Sequence, residues 1–230
     1  MRVAGEIGRV VPRGSTVYVL GGTSALGPGV DAALRFLGYQ VVRLGGLDRF
    51  ATAVSIAHDG LADPATDFLV TGSDFADALA AGPAAASVGG AVLLTDGARM
   101  PVETAAYLQA HPATLWALGG PAASAAGQSA TAVVGVDRYD TAVQVAVRFF
   151  PSPTIVGVAT GAVPADGLAG GAFMGAMGGP LLLTQPTTLP AIVTSLLGNA
   201  KTTVGRAFVF GGPSAIADVA FAQVQAAMAS

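Results

Sequence analysis

The stretch Leu47-Asp48-Arg49-Phe50-Ala51-Thr52-Ala53-Val54 returns as Val136-Asp137-Arg138-Tyr139-Asp140-Thr141-Ala142-Val143, 89 residues further on (47 to 136). The same offset carries Asp77 to Asp166, Leu93-Leu94-Thr95 to Leu182-Leu183-Thr184 and Pro101 to Pro190. Gly119-Gly120-Pro121 meets Gly211-Gly212-Pro213 at an offset of 92, so three residues enter near 202–206. A chain that repeats on this scale is confined to copies of one unit. A period of about 90 residues is too long for a solenoid turn, so each copy is expected to be a small domain with its own sheet.

Inside each copy, strands alternate with helices. Phe50, Ala53, Val54 and Ala57 fall at i, i+3, i+4 and i+7, one helical face, and Tyr139, Ala142, Val143 and Ala146 reproduce it. Asp48 and Asp137 stand where a carboxylate caps the first turn. The first copy continues with strands over 68–71, 91–95, 114–118 and 132–134. Between them lie an Ala-rich helix from about Asp74, a helix over 101–110 and a weak one over 122–130. The second copy repeats this order and ends in a helix over 215–228. Ahead of both stand a lead-in (1–15), a strand (16–20), a helix (28–37) and a strand (40–43). Such crossovers connect parallel neighbours. The expected class is α/β, with tandem three-layer units of parallel sheet flanked by helices. Residues 1–42 read as the closing half of an incomplete unit, 43–133 as a full unit, and 134–230 as a full unit lacking its last strand. The unmatched halves suggest that residues 16–43 pack against 206–230.

Composition narrows the function. Hydrophobic residues make up 52% and charged residues only 11%, against about 25% charged in ordinary soluble domains. Many small-residue contacts are therefore expected inside. A net charge of −3 argues against a general nucleic-acid binder. With no cysteine there is neither a disulfide framework nor a thiolate metal site. The uncharged runs 78–95 and 167–200 are long enough to span a bilayer. Gly89-Gly90 and Gly178-Gly179-Pro180 divide them, so each reads as buried helix, turn and strand, with no transmembrane segment. Residues 1–20 hold no apolar stretch of signal-peptide length.

The acid-Arg-aromatic-x-Thr pattern is the main candidate for function. Arg49 and Arg138 each follow a capping acid, where a guanidinium can grip a phosphate or carboxylate. Their alternative role is an ion pair to a neighbouring unit, for example with Asp77 or Asp166. Asp74 and Asp77 could hold Mg²⁺ or perform acid-base work, but the second copy keeps only Asp166. Capping by Asp74 and an ion pair for Asp77 explain the pair better. The glycine loops after strands sit where a Rossmann fold binds phosphate, yet none is G-x-G-x-x-G or a P-loop. His58 and His111 lack zinc-ligand spacing. Trp116 lies in an expected core strand, and no nucleophile elbow occurs.

Taken in order, Val19-Leu20-Gly21-Gly22, Arg43-Leu44-Gly45-Gly46-Leu47-Asp48-Arg49-Phe50-Ala51-Thr52, Asp74-Phe75-Ala76-Asp77-Ala78-Leu79, Leu93-Leu94-Thr95 and Leu118-Gly119-Gly120 resemble the cell wall binding repeat 2 family of Gram-positive surface proteins. The resemblance covers the chain as a half repeat and two full ones. It implies Rossmann- or toprim-like units, commonly three in a pseudo-threefold arrangement with ligand near their junctions, reached here through the half piece or by forming a homo-oligomer. It implies a noncatalytic module, without cofactor or metal, that holds an exported protein to an anionic cell-wall polymer or peptidoglycan-associated glycan, outside the cell at the wall surface. The candidate ligand-binding set is Arg43, Asp48, Arg49, Thr52, Asp74, Asp77, Asp137, Arg138, Thr141 and Asp166. The second copy departs from the pattern with Ala132 for Arg43 and Val163-Pro164 for Asp74-Phe75, so the two copies need not bind alike. Arg43, present in one copy only, is the better marker of the binding unit. Two other classes stay open: a Rossmann-like nucleotide or small-molecule protein or enzyme, and an assembly protein with buried interfaces.

Overall fold

The computed structural model describes residues 2–229. The chain forms two compact units on either side of the Asp63–Pro64 bond. The N-terminal unit runs α1 (Arg2–Val10), β1 (Thr16–Leu20), α2 (Pro28–Phe36), β2 (Gln40–Leu44) and α3 (Arg49–Ser55), which widens into a π-helical turn over Ile56–Gly60. β1 and β2 pair in parallel, with Val19 opposite Arg43. The helix α1 replaces the expected lead-in. Gly5 and Gly8 weaken its local signal, since glycine in a helix costs about 1 kcal/mol against alanine. Tertiary contacts secure it instead. The Tyr39 hydroxyl donates to the Val11 carbonyl at 3.0 Å, and Ile7 and Val11 pack on buried Val19, Leu34 and Tyr39.

The C-terminal unit holds two parallel sheets. The first copy contributes β3 (Thr66–Thr71), α4 (Ala76–Val88), β4 (Ala91–Thr95), α5 (Val102–Ala110), β5 (Thr114–Leu118), α6 (Gly120–Ala126) and β6 (Thr131–Val133), in strand order β4-β3-β5-β6. The second contributes α7 (Arg138–Phe149), β7 (Ile155–Thr160), α8 (Pro164–Met177), β8 (Leu181–Thr184), α9 (Ala191–Ala200), β9 (Arg206–Phe210) and α10 (Asp218–Met228), in order β8-β7-β9. Burial on both faces explains the continuous apolar runs Phe68-Leu69-Val70, in the inner strand β3, and Leu181-Leu182-Leu183, in the edge strand β8 that helices cover. Among the described residues no helix is long and apolar enough to cross a membrane.

Composition finds its explanation where α4 packs on α8. A β-carbon at Gly167 would stand 2.6 Å from Leu79 Cδ1, and one at Gly175 would stand 3.0 Å from Ala86 Cβ. The helices approach this closely because glycines on α8 leave room for Leu79, Pro83 and Ala86 of α4. Phe68, Leu79, the α4 alanines, Ala142, Met174, Leu181 and Leu183 then form one core shared by both copies. A separate core under α9 and α10 gathers Val143, Val158, Leu182, Val193, Leu197 and Val224. Each fully buried leucine in these clusters contributes roughly 2 kcal/mol.

Candidate functional site at the repeat junction

The repeated pattern builds the same turn twice. In the N-terminal unit Asp48 Oδ1 accepts from the Ala51 N–H at 2.8 Å. The Thr52 hydroxyl accepts from the Gly46 N–H at 3.0 Å and donates to the Asp48 carbonyl at 2.7 Å. At the start of α7, Asp137 Oδ1 accepts from the N–H groups of Tyr139 and Asp140, both at 2.9 Å. The Thr141 hydroxyl accepts from the Gly135 N–H at 3.1 Å. Both aspartates thus satisfy helix-end donors, and both threonines close the preceding loop.

Arg43 and Arg138 are tied into the fold. Arg43 forms an ion pair with Asp31 through Nη2 and donates from Nη1 to the Gly21 carbonyl at 2.6 Å. That side-chain bond, with added charge attraction from Arg43, holds the Asp31 carboxyl below its ordinary range. Arg138 donates from Nη1 to the Gly161 carbonyl at 2.8 Å and from Nη2 to Asp74 Oδ2 at 3.0 Å. Its partner in the first copy is therefore Asp74, rather than Asp77 or Asp166. Asp74 precedes α4 by two residues, and its Oδ1 accepts from the Ala76 N–H at 3.1 Å. One carboxylate both braces a helix start and meets an arginine 64 positions away in the chain. Arg49 is exposed at the first residue of α3.

Asp77 sits deeper. Its Oδ2 lies 1.9 Å from where a β-carbon at Gly119 would stand, and Gly119 has φ +84°. Only glycine fits there. Burial, then the nearby Asp74 carboxylate, pushes the Asp77 carboxyl above its ordinary value; the Arg138 charge and a hydrogen bond from Thr141 oppose that shift. In the second copy Asp166 takes the corresponding place, 2.7 Å from the β-carbon position of Gly211, which has φ +121°. Both strand-to-helix glycine turns thus hold a carboxylate where a Rossmann loop would present free N–H groups to a phosphate. The glycines were legible as turns. Their role as seats for Asp77 and Asp166 was not, because glycine and acid are over 40 residues apart in each copy.

Comparison with known proteins agrees with this construction. The family model described as cell wall binding domain 2 (CWB2) matches residues 43–126 and again 133–220. N-acetylmuramoyl-L-alanine amidase LytC of Bacillus subtilis (strain 168) is 29% identical over 192 residues, covering 79% of this chain and 38% of that protein. Among solved structures, Cwp8 from Clostridium difficile matches with a TM-score of 0.79 at 22% identity, over 94% of this chain and 38% of that one. Cwp6 from Clostridium difficile matches with a TM-score of 0.69 at 24% identity, over 80% of this chain and 31% of that one. At such identities the two structures establish the fold: parallel sheets flanked by helices in tandem units. The chain spans well under half the length of each of these relatives. Since the family model matches both copies of the repeat over most of its length, the chain belongs to the cell wall binding domain 2 family.

Proposed function

We propose that the chain is a noncatalytic module that attaches an exported protein to an anionic polymer of the cell wall, at the outer surface of a Gram-positive bacterium. The observation that carries this reading is the family match to both copies of the repeat. LytC is an amidase by name, but the chain spans 38% of it, and the binding role is assigned to the repeated part alone. A Rossmann-like nucleotide site is disfavoured by the carboxylates seated under Gly119 and Gly211. Within the repeat, Asp48, Thr52, Asp137 and Thr141 hold turns, and Arg43 and Arg138 hold neighbouring elements together. Arg49, exposed on α3, is the residue we assign to the polymer.

Pull-down on purified cell walls, before and after the anionic secondary polymer is stripped, tests the reading. Binding is expected before stripping and lost after it, and added salt should weaken it because the contact is charge-assisted. Binding that survives complete removal of the polymer overturns the polymer as partner. Arg49→Ala is expected to weaken wall binding with the fold intact; unchanged binding would remove Arg49 from the site.

A further inference from the structure

An open groove of about 850 Å³ runs along the C-terminal unit between α7 and the outer strand β6. Its lining differs from that of the hollow bounded by Phe150, Leu182 and Leu197 in the same unit, which holds no charged side chain. Asp140, Gln144 and Arg148 stand at i, i+4 and i+8 on α7, so they form one polar stripe along the groove. Trp116 of β5 and Thr131 of β6 face them from the sheet; these two residues are register partners.

The stripe is ordered rather than loose. Asp140 Oδ2 accepts from the Val136 N–H at 2.9 Å and from Gln144 Nε2 at 3.3 Å. This orients the Gln144 carboxamide so that its oxygen remains an acceptor. The Arg148 guanidinium sits over the Trp116 ring, its central carbon 4.7 Å from the ring centroid. The indole is braced in turn by Phe149, edge to face at 5.1 Å. Arg148 itself is exposed and Trp116 half-buried. A guanidinium held over an aromatic ring is restrained by the cation–π attraction while its N–H groups stay available to an anion.

We propose that this groove binds an acidic sugar unit of a wall glycan. Arg148 takes the carboxylate or phosphate, Gln144 and Thr131 take sugar hydroxyls, and Trp116 positions Arg148. With one arginine and one aspartate, the lining is balanced in charge and suits a single anion flanked by hydroxyls. Nucleic acid would need several cations. The proposal rests on the wall-binding reading and gives it a second contact, distinct from Arg49.

Trp116 is the only tryptophan in the chain, so its fluorescence reports on this groove directly. The intact chain is titrated with trigalacturonate, with a phosphomannan fragment, with neutral galactotriose and with triglutamate. A saturable change is expected with one or both acidic sugars, and the responding arm identifies carboxylate or phosphate as the anion. Galactotriose and triglutamate should leave the emission unchanged. Arg148→Gln should weaken the acidic-sugar response by about tenfold or more, and Arg148→Lys by less, since it keeps charge but loses the planar fork. Near-ultraviolet circular dichroism checks that both variants stay folded. No saturable response to either acidic sugar, an unchanged response in folded Arg148→Gln, or an equal response to triglutamate overturns the proposal. Wall pull-down by the unaltered chain, run in parallel, separates the two readings. Walls bound while Trp116 stays silent refutes the groove alone, whereas walls not bound refutes the wall-binding reading itself.

Discussion

Two acids at matching places in the repeat, Asp77 and Asp166, meet different surroundings. Asp77 is enclosed under Gly119, beside Asp74, within reach of Arg138 and the Thr141 hydroxyl. Asp166 lies under Gly211 in a roomier turn, and Val163-Pro164 stand where the first copy has Asp74-Phe75. Their helices differ in the same direction. The first copy presents Leu79, Pro83 and Ala86 on α4, and the second presents Gly167, Gly171 and Gly175 on α8, which leave room for them. The first copy thus supplies the knobs and the acidic seat, and the second supplies the holes and the arginine. Duplicated sequence has diverged into two complementary halves of one junction.

The largest expected effect separates the two glycine turns. Gly119→Ala drives a β-carbon into the Asp77 carboxylate from a left-handed backbone, and should cost about 3 kcal/mol or more. Gly211→Ala, with 2.7 Å to Asp166 Oδ2 rather than 1.9 Å, should cost about 2 kcal/mol. Urea unfolding of both variants measures this. Equal losses would mean that the two seats are equally tight, and the comparison would fail.

Next in size is the arginine bridge. Arg138→Ala removes a bond to the Gly161 carbonyl and the pair with Asp74, whose side chains are 35% and 49% exposed. After discounting the pair for solvent screening, about 1–2 kcal/mol should be lost. Asp74→Asn should cost less, about 0.5–1 kcal/mol, because the carbonyl bond survives. A double-mutant cycle sharpens the point. Coupling well above about 1 kcal/mol would show the pair to be more shielded than its exposure indicates.

The smallest effect is a pH dependence. The Asp77 carboxyl is raised in the folded chain above its ordinary 3.8, by burial and then by Asp74. The folded state therefore binds its proton more tightly than the unfolded state. This contribution to stability is full below the unfolded value and is lost as pH rises through the raised folded value. Asp77→Asn should remove that decline, so its stability relative to the unaltered chain should rise with pH across the window. Unfolding curves from about pH 3 to pH 7 test the sign. A difference that falls with pH would mean that Arg138 and Thr141 outweigh burial.

Much of this was open to reading along the chain. Asp48 and Asp137 were expected as caps and serve as caps, because a cap depends on N–H groups two or three residues away. Strand positions followed from apolar runs bounded by glycine and proline. The helix α1 is not legible in the sequence because its two glycines conceal it, and Tyr39, about 30 residues on, secures it. By the apolar pattern of its strand, Trp116 belongs in the core. The structure packs it at the margin of the core and lays Arg148 over it, from a helix that begins the next copy.

The sequence by itself determined the period, the alternation of strand and helix, the capped turns and the family. All of these rest on patterns within a few residues, or on comparing like with like at a fixed offset. Tertiary structure alone decided that Arg138 meets Asp74, that Gly119 and Gly211 seat carboxylates, and that Arg148 lies on Trp116. Those contacts depend on how closely one copy approaches the other. That distance is set by glycines on α8 that leave room for Leu79, Pro83 and Ala86 of α4, and small residues that permit close approach do not by themselves name what they bring together.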